Sequence, residues 1–158
     1  MYHSAEGMVM DIKGKKAIVF GGTSGIGLAT CQELQARGAE VVAVSRDPNK
    51  AGTSIDYIRL AAVDARDSDA VSAFFESEGK VDILISSATG GSRAFGPFLE
   101  MDIDGFKGSF DKLWGYSNVV RYGTAKLDDY GCIVLVSGTP ARRMKPGQVA
   151  LSTVGAAV

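Results

Sequence analysis

The segment Gly21-Gly22-Thr23-Ser24-Gly25-Ile26-Gly27 limits the possible folds of this 158-residue chain more than any other. Before it lies Lys16–Phe20 (KAIVF), an apolar run that reads as a strand. After it, apolar residues fall three and four apart, the spacing of a helix over Gly25–Arg37 with Ile26, Leu28, Ala29 and Leu34 available for its inner face. A backbone that passes directly from strand to helix needs glycine where φ turns positive and where it must approach a ligand closely. The first N–H groups of the helix lack partners and carry its positive dipole end, so such a turn suits a pyrophosphate. A tight turn without ligand is the alternative, and the spacing within a strand-helix-strand unit favours the nucleotide.

The alternation continues along the chain. Gly38 closes the first helix as a C-terminal glycine does. Glu40–Ser45 and Ile58–Val63 read as strands two and three, Ser68–Glu78 as a helix with the stripe Val71, Phe74 and Phe75, and Val81–Ser86 as strand four. A glycine-rich loop, Thr89–Pro97, leads to a long helical region, Ile103–Leu127, and to strand five, Cys132–Ser137. Strands of continuous apolar character are expected to be covered on both faces. With right-handed crossovers the pattern predicts an α/β fold, a doubly wound parallel sheet in three α/β/α layers. One domain is expected over residues 1–158, with 1–11 as a flexible arm. Gln148–Val158 begins another helix, and the chain is expected to stop inside it as part of a longer protein, leaving strand five as an exposed edge.

Charge and cysteines narrow the function. Seventeen basic and eighteen acidic residues give a net charge of −1, which argues against nucleic acid or anionic membrane as partner and for a small molecule. Cys31 and Cys132 belong to no Cys-x-x-Cys and have no histidine near them in sequence. Reduced thiols, no metal site and a cytoplasmic location follow. The start lacks a basic and apolar leader, and no apolar run reaches the roughly 20 residues a membrane helix needs, so a soluble, unexported protein is expected.

Three stretches carry a family resemblance. Ile18-Val19-Phe20 followed by the glycine segment is similar to the cofactor loop of short-chain dehydrogenases/reductases, with Phe20 where Thr is commoner. Val63-Asp64-Ala65 resembles that family's adenine-contacting aspartate, and Asp82-Ile83-Leu84-Ile85-Ser86-Ser87-Ala88-Thr89 resembles its D-I-L-V-N-N-A-G stretch. The resemblance spans essentially the whole chain and implies a Rossmann-type fold, a nicotinamide coenzyme, carbonyl/alcohol chemistry and a homo-oligomer. It assigns coenzyme binding to Gly21, Thr23, Ser24, Gly25, Ile26, Gly27, Asp64, Ala65, Ser86 and Ala88. Ser86, Ser87 and Thr89 replace Asn, Asn and Gly. At the end of strand two, Ser45 and Arg46 stand where an acid would select NAD. The Arg fork suits a 2′-phosphate, so NADP(H) is favoured over NAD(H), although Asp47 partly offsets it.

The family's catalytic Ser and Tyr-x-x-x-Lys fall on Gly138, Leu151 and Gly155, none of which can move a proton. Tyr122-Gly123-Thr124-Ala125-Lys126 has the right spelling but precedes strand five, and reads as a coincidental helix-surface pair. Ser137 would have to be re-aimed to stand in for the missing Ser, because neighbouring strand residues face opposite ways. The family's helix Asn falls on Lys112, whose amine in an apolar cleft would serve as acid, base or carbonyl-polarising group. Arg142, Arg143 and Lys145 offer a basic group for an anionic substrate, or simply solvate their loop. Two readings stand: an NADP(H)-dependent oxidoreductase with a non-standard site in which Lys112 partly replaces the lost proton-transfer group, and a catalytically inactive NADP(H)-binding sensor or assembly module. Non-redox chemistry such as elimination fits the intact glycine loop less well.

Overall fold

A computed structural model describes residues 11–51, 57–89 and 93–158; the expected arm falls almost wholly outside them, as do three residues of the glycine-rich loop. Five strands, β1 (Lys16–Phe20), β2 (Glu40–Ser45), β3 (Arg59–Ala62), β4 (Val81–Ser86) and β5 (Leu127–Leu135), form one sheet in the order β3-β2-β1-β4-β5. All four pairings are parallel. The helices are α1 (Gly25–Ala36), α2 (Ser68–Glu78), α3 (Ile103–Gly108), α4 (Asp111–Gly123) and α5 (Val149–Ala157).

The period-2 geometry of the central strands sends alternate residues into two cores. Ile18, Phe20, Val42, Val44 and Leu84 point to one face, where α2 brings Val71, Phe74 and Phe75 and α4 brings Val119. Ala17, Val19, Val41, Ala43, Ile83 and Ile85 point to the other, where α1 brings Cys31 and Leu34. Phe20 fills the first core with its ring centroid 5.8 Å from those of both Phe74 and Phe75. α2 starts where Asp67 accepts hydrogen bonds from the amides of Asp69 and Ala70, each at 3.0 Å, which satisfies two of the four open donors of a helix start.

The doubly wound α/β architecture agrees with the sequence; several details differ. The inner face of α1 is Gly27, Cys31 and Leu34, while Ile26 is 67% exposed and Ala29 is exposed too. Gly27 lies tight against the Gly21 carbonyl and the Ser87 hydroxyl, in the turns after β1 and β4, so this side of α1 and not the side of the larger residues faces inward. β3 is shorter than expected and lies at the sheet edge, so Arg59 and Leu60 are exposed rather than covered; Tyr57, at φ 71°, breaks the extended run before it. The helical region after residue 103 is two helices. Between them the Ser109 hydroxyl bonds the Gly105 carbonyl and accepts the Ala94 amide, both at 3.0 Å, and the tail, Thr124–Lys126, tightens into a 3-10 turn. β5 begins five residues early and ends at Leu135, with a bulge between the Val81↔Leu127 and Ile83↔Cys132 pairs. The acidic residues Asp128 and Asp129 in that bulge hide the strand from an apolar pattern. Both cysteines are free thiols; burial pushes the Cys31 thiol up to about 12.

Candidate functional site

The chain leaves β1 toward β2 on one side and reaches β4 on the other, which opens a crevice at the carboxyl ends of these strands, the place where open parallel sheets hold ligands. The cleft there has a volume of about 840 Å³.

Its floor is the glycine turn. Gly21 (φ 80°) and Gly25 (φ 51°) lie in the left-handed region that side chains avoid. A Cβ on Gly21 would stand 2.7 Å from the Ala88 amide nitrogen, and one on Gly27 would stand 2.1 Å from the Gly21 carbonyl oxygen. The Ser87 hydroxyl bonds the Phe20 carbonyl at 3.0 Å and fastens the turn after β4 to the end of β1. Ser24 occupies the N-cap of α1 without a side-chain cap bond, so the first amides of α1 face a cleft that their missing partners would have to fill. Thr23, Ser24, Gly25, Ile26 and Gly27 line it. Exposed Ile26 is thereby explained as cleft wall. A cradle that a Cβ would fill, beside open amides, fits a dinucleotide diphosphate.

At one end stand Ser45 and Arg46. The Ser45 hydroxyl oxygen is buried and meets no hydrogen-bond partner among the described residues, and the Arg46 side chain is exposed at the rim. Asp64 lines the same end, but both its oxygens accept from the Arg66 guanidinium at 2.7–3.2 Å. That bonding holds its carboxyl below the usual aspartate range. Arg66 also reaches Asp111 at 3.0 Å, and Asn118 bonds the Ala65 carbonyl at 3.0 Å, so α4 grips the loop after β3. Ala65 and Ala88 line the cleft as well. Ser86 is fully buried within β4, and Ser87 presents its side chain in the cleft instead.

At the other end Gly138, Leu151 and Gly155 converge on the cleft wall and bring no titratable group. Ser137 spends its hydroxyl on the Gly155 carbonyl at 3.1 Å. Tyr122 and Lys126 do not line the cleft; the Tyr122 hydroxyl is 2.7 Å from that of Ser68, on α2. Lys112 does line it, and its ammonium donates to the Val136 carbonyl at 2.9 Å. Burial, with repulsion from Arg93, lowers its pKa below the ordinary 10.5.

Sequence reasoning missed Tyr116. It lies one turn beyond Lys112 on α4, is 3% exposed and donates to the same Val136 oxygen at 2.7 Å. The Lys112 nitrogen sits 5.1 Å from its ring centre, within reach of a cation–π attraction. Burial pushes its hydroxyl up to about 12, so it remains a neutral donor. The signal was the four-residue spacing from Lys112. Because Lys112 still serves the carbonyl, Tyr116→Phe should cost only about 1 kcal/mol in urea unfolding, the net worth of one hydrogen bond.

A family model described as short chain dehydrogenase matches residues 15–158. L-xylulose reductase of Mesocricetus auratus is 33% identical over 157 residues, covering 94% of this chain and 64% of its own length; that of Homo sapiens is 33% identical over 143 residues, covering 86% and 58%. The chain thus spans less than two thirds of these curated relatives. Among solved structures, a short chain dehydrogenase from Burkholderia cenocepacia J2315 in complex with NADP has a TM-score of 0.84 at 25% identity, over 94% of this chain and 63% of that one. A short-chain type dehydrogenase/reductase from Mycobacterium ulcerans has a TM-score of 0.85 at 22% identity, over 94% and 60%, a likeness of fold. Among the described residues no helix is long and apolar enough to cross a membrane, and no group of His, Cys, Asp or Glu gathers to hold a metal.

Proposed function

Because the chain belongs to the short chain dehydrogenase family, we propose that it binds NADP(H) in this cleft and reduces a small carbonyl compound, with Lys112 as the proton source. The observation that carries the reading is Lys112 itself: α4 brings its ammonium to the wall where Gly138, Leu151 and Gly155 bring no titratable group, while the neighbouring Tyr116 hydroxyl, raised to about 12, is the weaker acid. When bound, the reduced coenzyme supplies the hydride to the carbonyl carbon. The chain's part is to hold the diphosphate on the α1 amides, to place Arg46 and Ser45 toward a 2′-phosphate, and to deliver a proton. The Lys112 ammonium gives its proton to the substrate oxygen as charge develops there, and regains one from water. Partial burial favours this, since a lysine whose pKa is lowered is a stronger acid.

NADP(H) binding is supported by the relative bound to NADP and by the absence of an acid at Ser45. A fluorescence titration should show tighter binding of NADPH than of NADH. Arg46→Ala should reduce that preference about tenfold, the worth of a charge-assisted contact. A carbonyl panel that includes L-xylulose, the compound named in the relatives, then tests turnover. Tight NADPH binding with no oxidation by any aldehyde, ketone or quinone would favour the non-catalytic binding module instead, and failure of both NADPH and NADH to bind would end both readings.

A further inference from the structure

The charges lining the cleft are unevenly shared. Its carboxylates are Asp47, Asp64 and Asp111. Asp47 follows Arg46 at the end of β2. Asp64 and Asp111 are both spent on Arg66, at 2.7 and 3.0 Å, so Asp111, although next to Lys112 in sequence, is turned away from it. Of the four cations on the cleft, Arg66 is paired with these carboxylates and Arg46 stands beside Ser45 at the end of β2, which leaves Lys112 and Arg93. Lys112 meets a neutral carbonyl, and among the described residues no carboxylate lies within ion-pair distance of either. The two are near enough for their repulsion to be felt at Lys112. A wall formed by Pro140, Leu151 and Val154 on the same cleft supplies no counter-charge.

Arg93 is not a loose surface cation at its base. The next residue, Ala94, is buried, and its amide donates to Ser109 at 3.0 Å. The Gly96 amide bonds the Gly147 carbonyl at 3.0 Å, which ties this rim to the segment before α5. The backbone that carries Arg93 is therefore anchored at two points while its guanidinium stays exposed. By contrast Arg142, Arg143 and Lys145, the basic group singled out in the sequence, do not line the cleft.

We propose that the substrate carries a carboxylate or a comparable anion, which Arg93 holds at the rim while the carbonyl oxygen meets Lys112. The inference rests on the reading of the cleft as a carbonyl-reducing site. Lys112 is partly withdrawn from water with a second cation near it, and an anionic ligand offsets that repulsion. The planar fork of Arg is suited to a carboxylate in particular.

The test uses a matched pair, phenylglyoxylate and its methyl ester, which share one ketone and differ in one charge. Binding is measured by calorimetry on the chain saturated with NADP+, where no reduction can occur, and again without coenzyme. Phenylglyoxylate should bind about tenfold or more tightly than the ester, the effect of one charge-assisted contact. The ratio should shrink as salt rises. Arg93→Gln should bring it near one, and Arg93→Glu should invert it. Equal binding of acid and ester, or a ratio that survives Arg93→Gln, overturns the proposal. These outcomes are separate from the fate of the function reading. Turnover of L-xylulose or the ester without preference for the acid sinks the anion site alone. Preference for the acid in binding without any turnover sinks the reductase and keeps the anion site.

Discussion

Gly27→Ala will abolish NADPH binding, lowering affinity by about a hundredfold or more, and will lower the unfolding free energy by about 1–3 kcal/mol, the usual cost of overpacking. The added methyl would stand 2.1 Å from the Gly21 carbonyl oxygen and 2.5 Å from the Ser87 hydroxyl. Only the serine can rotate away; the carbonyl belongs to a turn held by Val44, which accepts the Gly21 amide at 2.8 Å. Relief must therefore come from α1 backing off, and its first amides move with it. Fluorescence titration reads the binding, and circular dichroism confirms that the helices persist. Should the variant bind NADPH as the parent does, the amides at the start of α1 are not what holds the coenzyme.

The second large effect is chemical. Lys112→Ala should cut carbonyl reduction by about a hundredfold or more, the usual worth of a general acid, while NADPH binding and fold survive. Survival is expected because Tyr116 continues to donate to Val136, so no buried carbonyl is orphaned. In the parent, reduction should fall as pH rises through the Lys112 pKa, and this alkaline limb should lie below 10.5. Stability carries the same signature with a definite sign. The folded state disfavours the ammonium, so between the folded pKa and the unfolded value near 10.5 the unfolded chain binds more protons, and stability from this group rises with pH. Lys112→Ala removes that rise. A variant that reduces carbonyls at the parental rate would assign the proton to another group.

Much of this site was legible because glycine and arginine report local demands. The turn from β1 into α1 could be read from Gly21, Gly25 and Gly27, since positive φ and close approach leave few residues to choose from. Lys112 was found because it falls where the resembled family has its helix Asn. What escaped depends on contacts between distant segments. Nothing near Tyr116 in sequence says that Val136, twenty residues on, will turn its carbonyl toward it. Asp64 could be named as a cleft residue, yet not its engagement by Arg66 and, through it, by Asp111. Arg93 lay in a loop that reads only as glycine-rich, whereas the more obvious cations after β5 point elsewhere. Element ends were lost where polar residues sit inside a strand, as at Asp128 and Asp129, or where a serine side chain competes with the helix ladder, as at Ser109.

The near contact of Gly21 with Ala88 also bears on how a ligand gets in. With no side chain between them, the loops following β1 and β4 touch backbone to backbone, and the Ser87 amide is bonded to Phe20 at 2.9 Å. These two loops cannot part like jaws. Any opening that admits or releases a nucleotide has to occur at the opposite lip, where Leu151, Val154 and Gly155 of α5 line the cleft, so exchange of coenzyme should be timed by the motion of that helix.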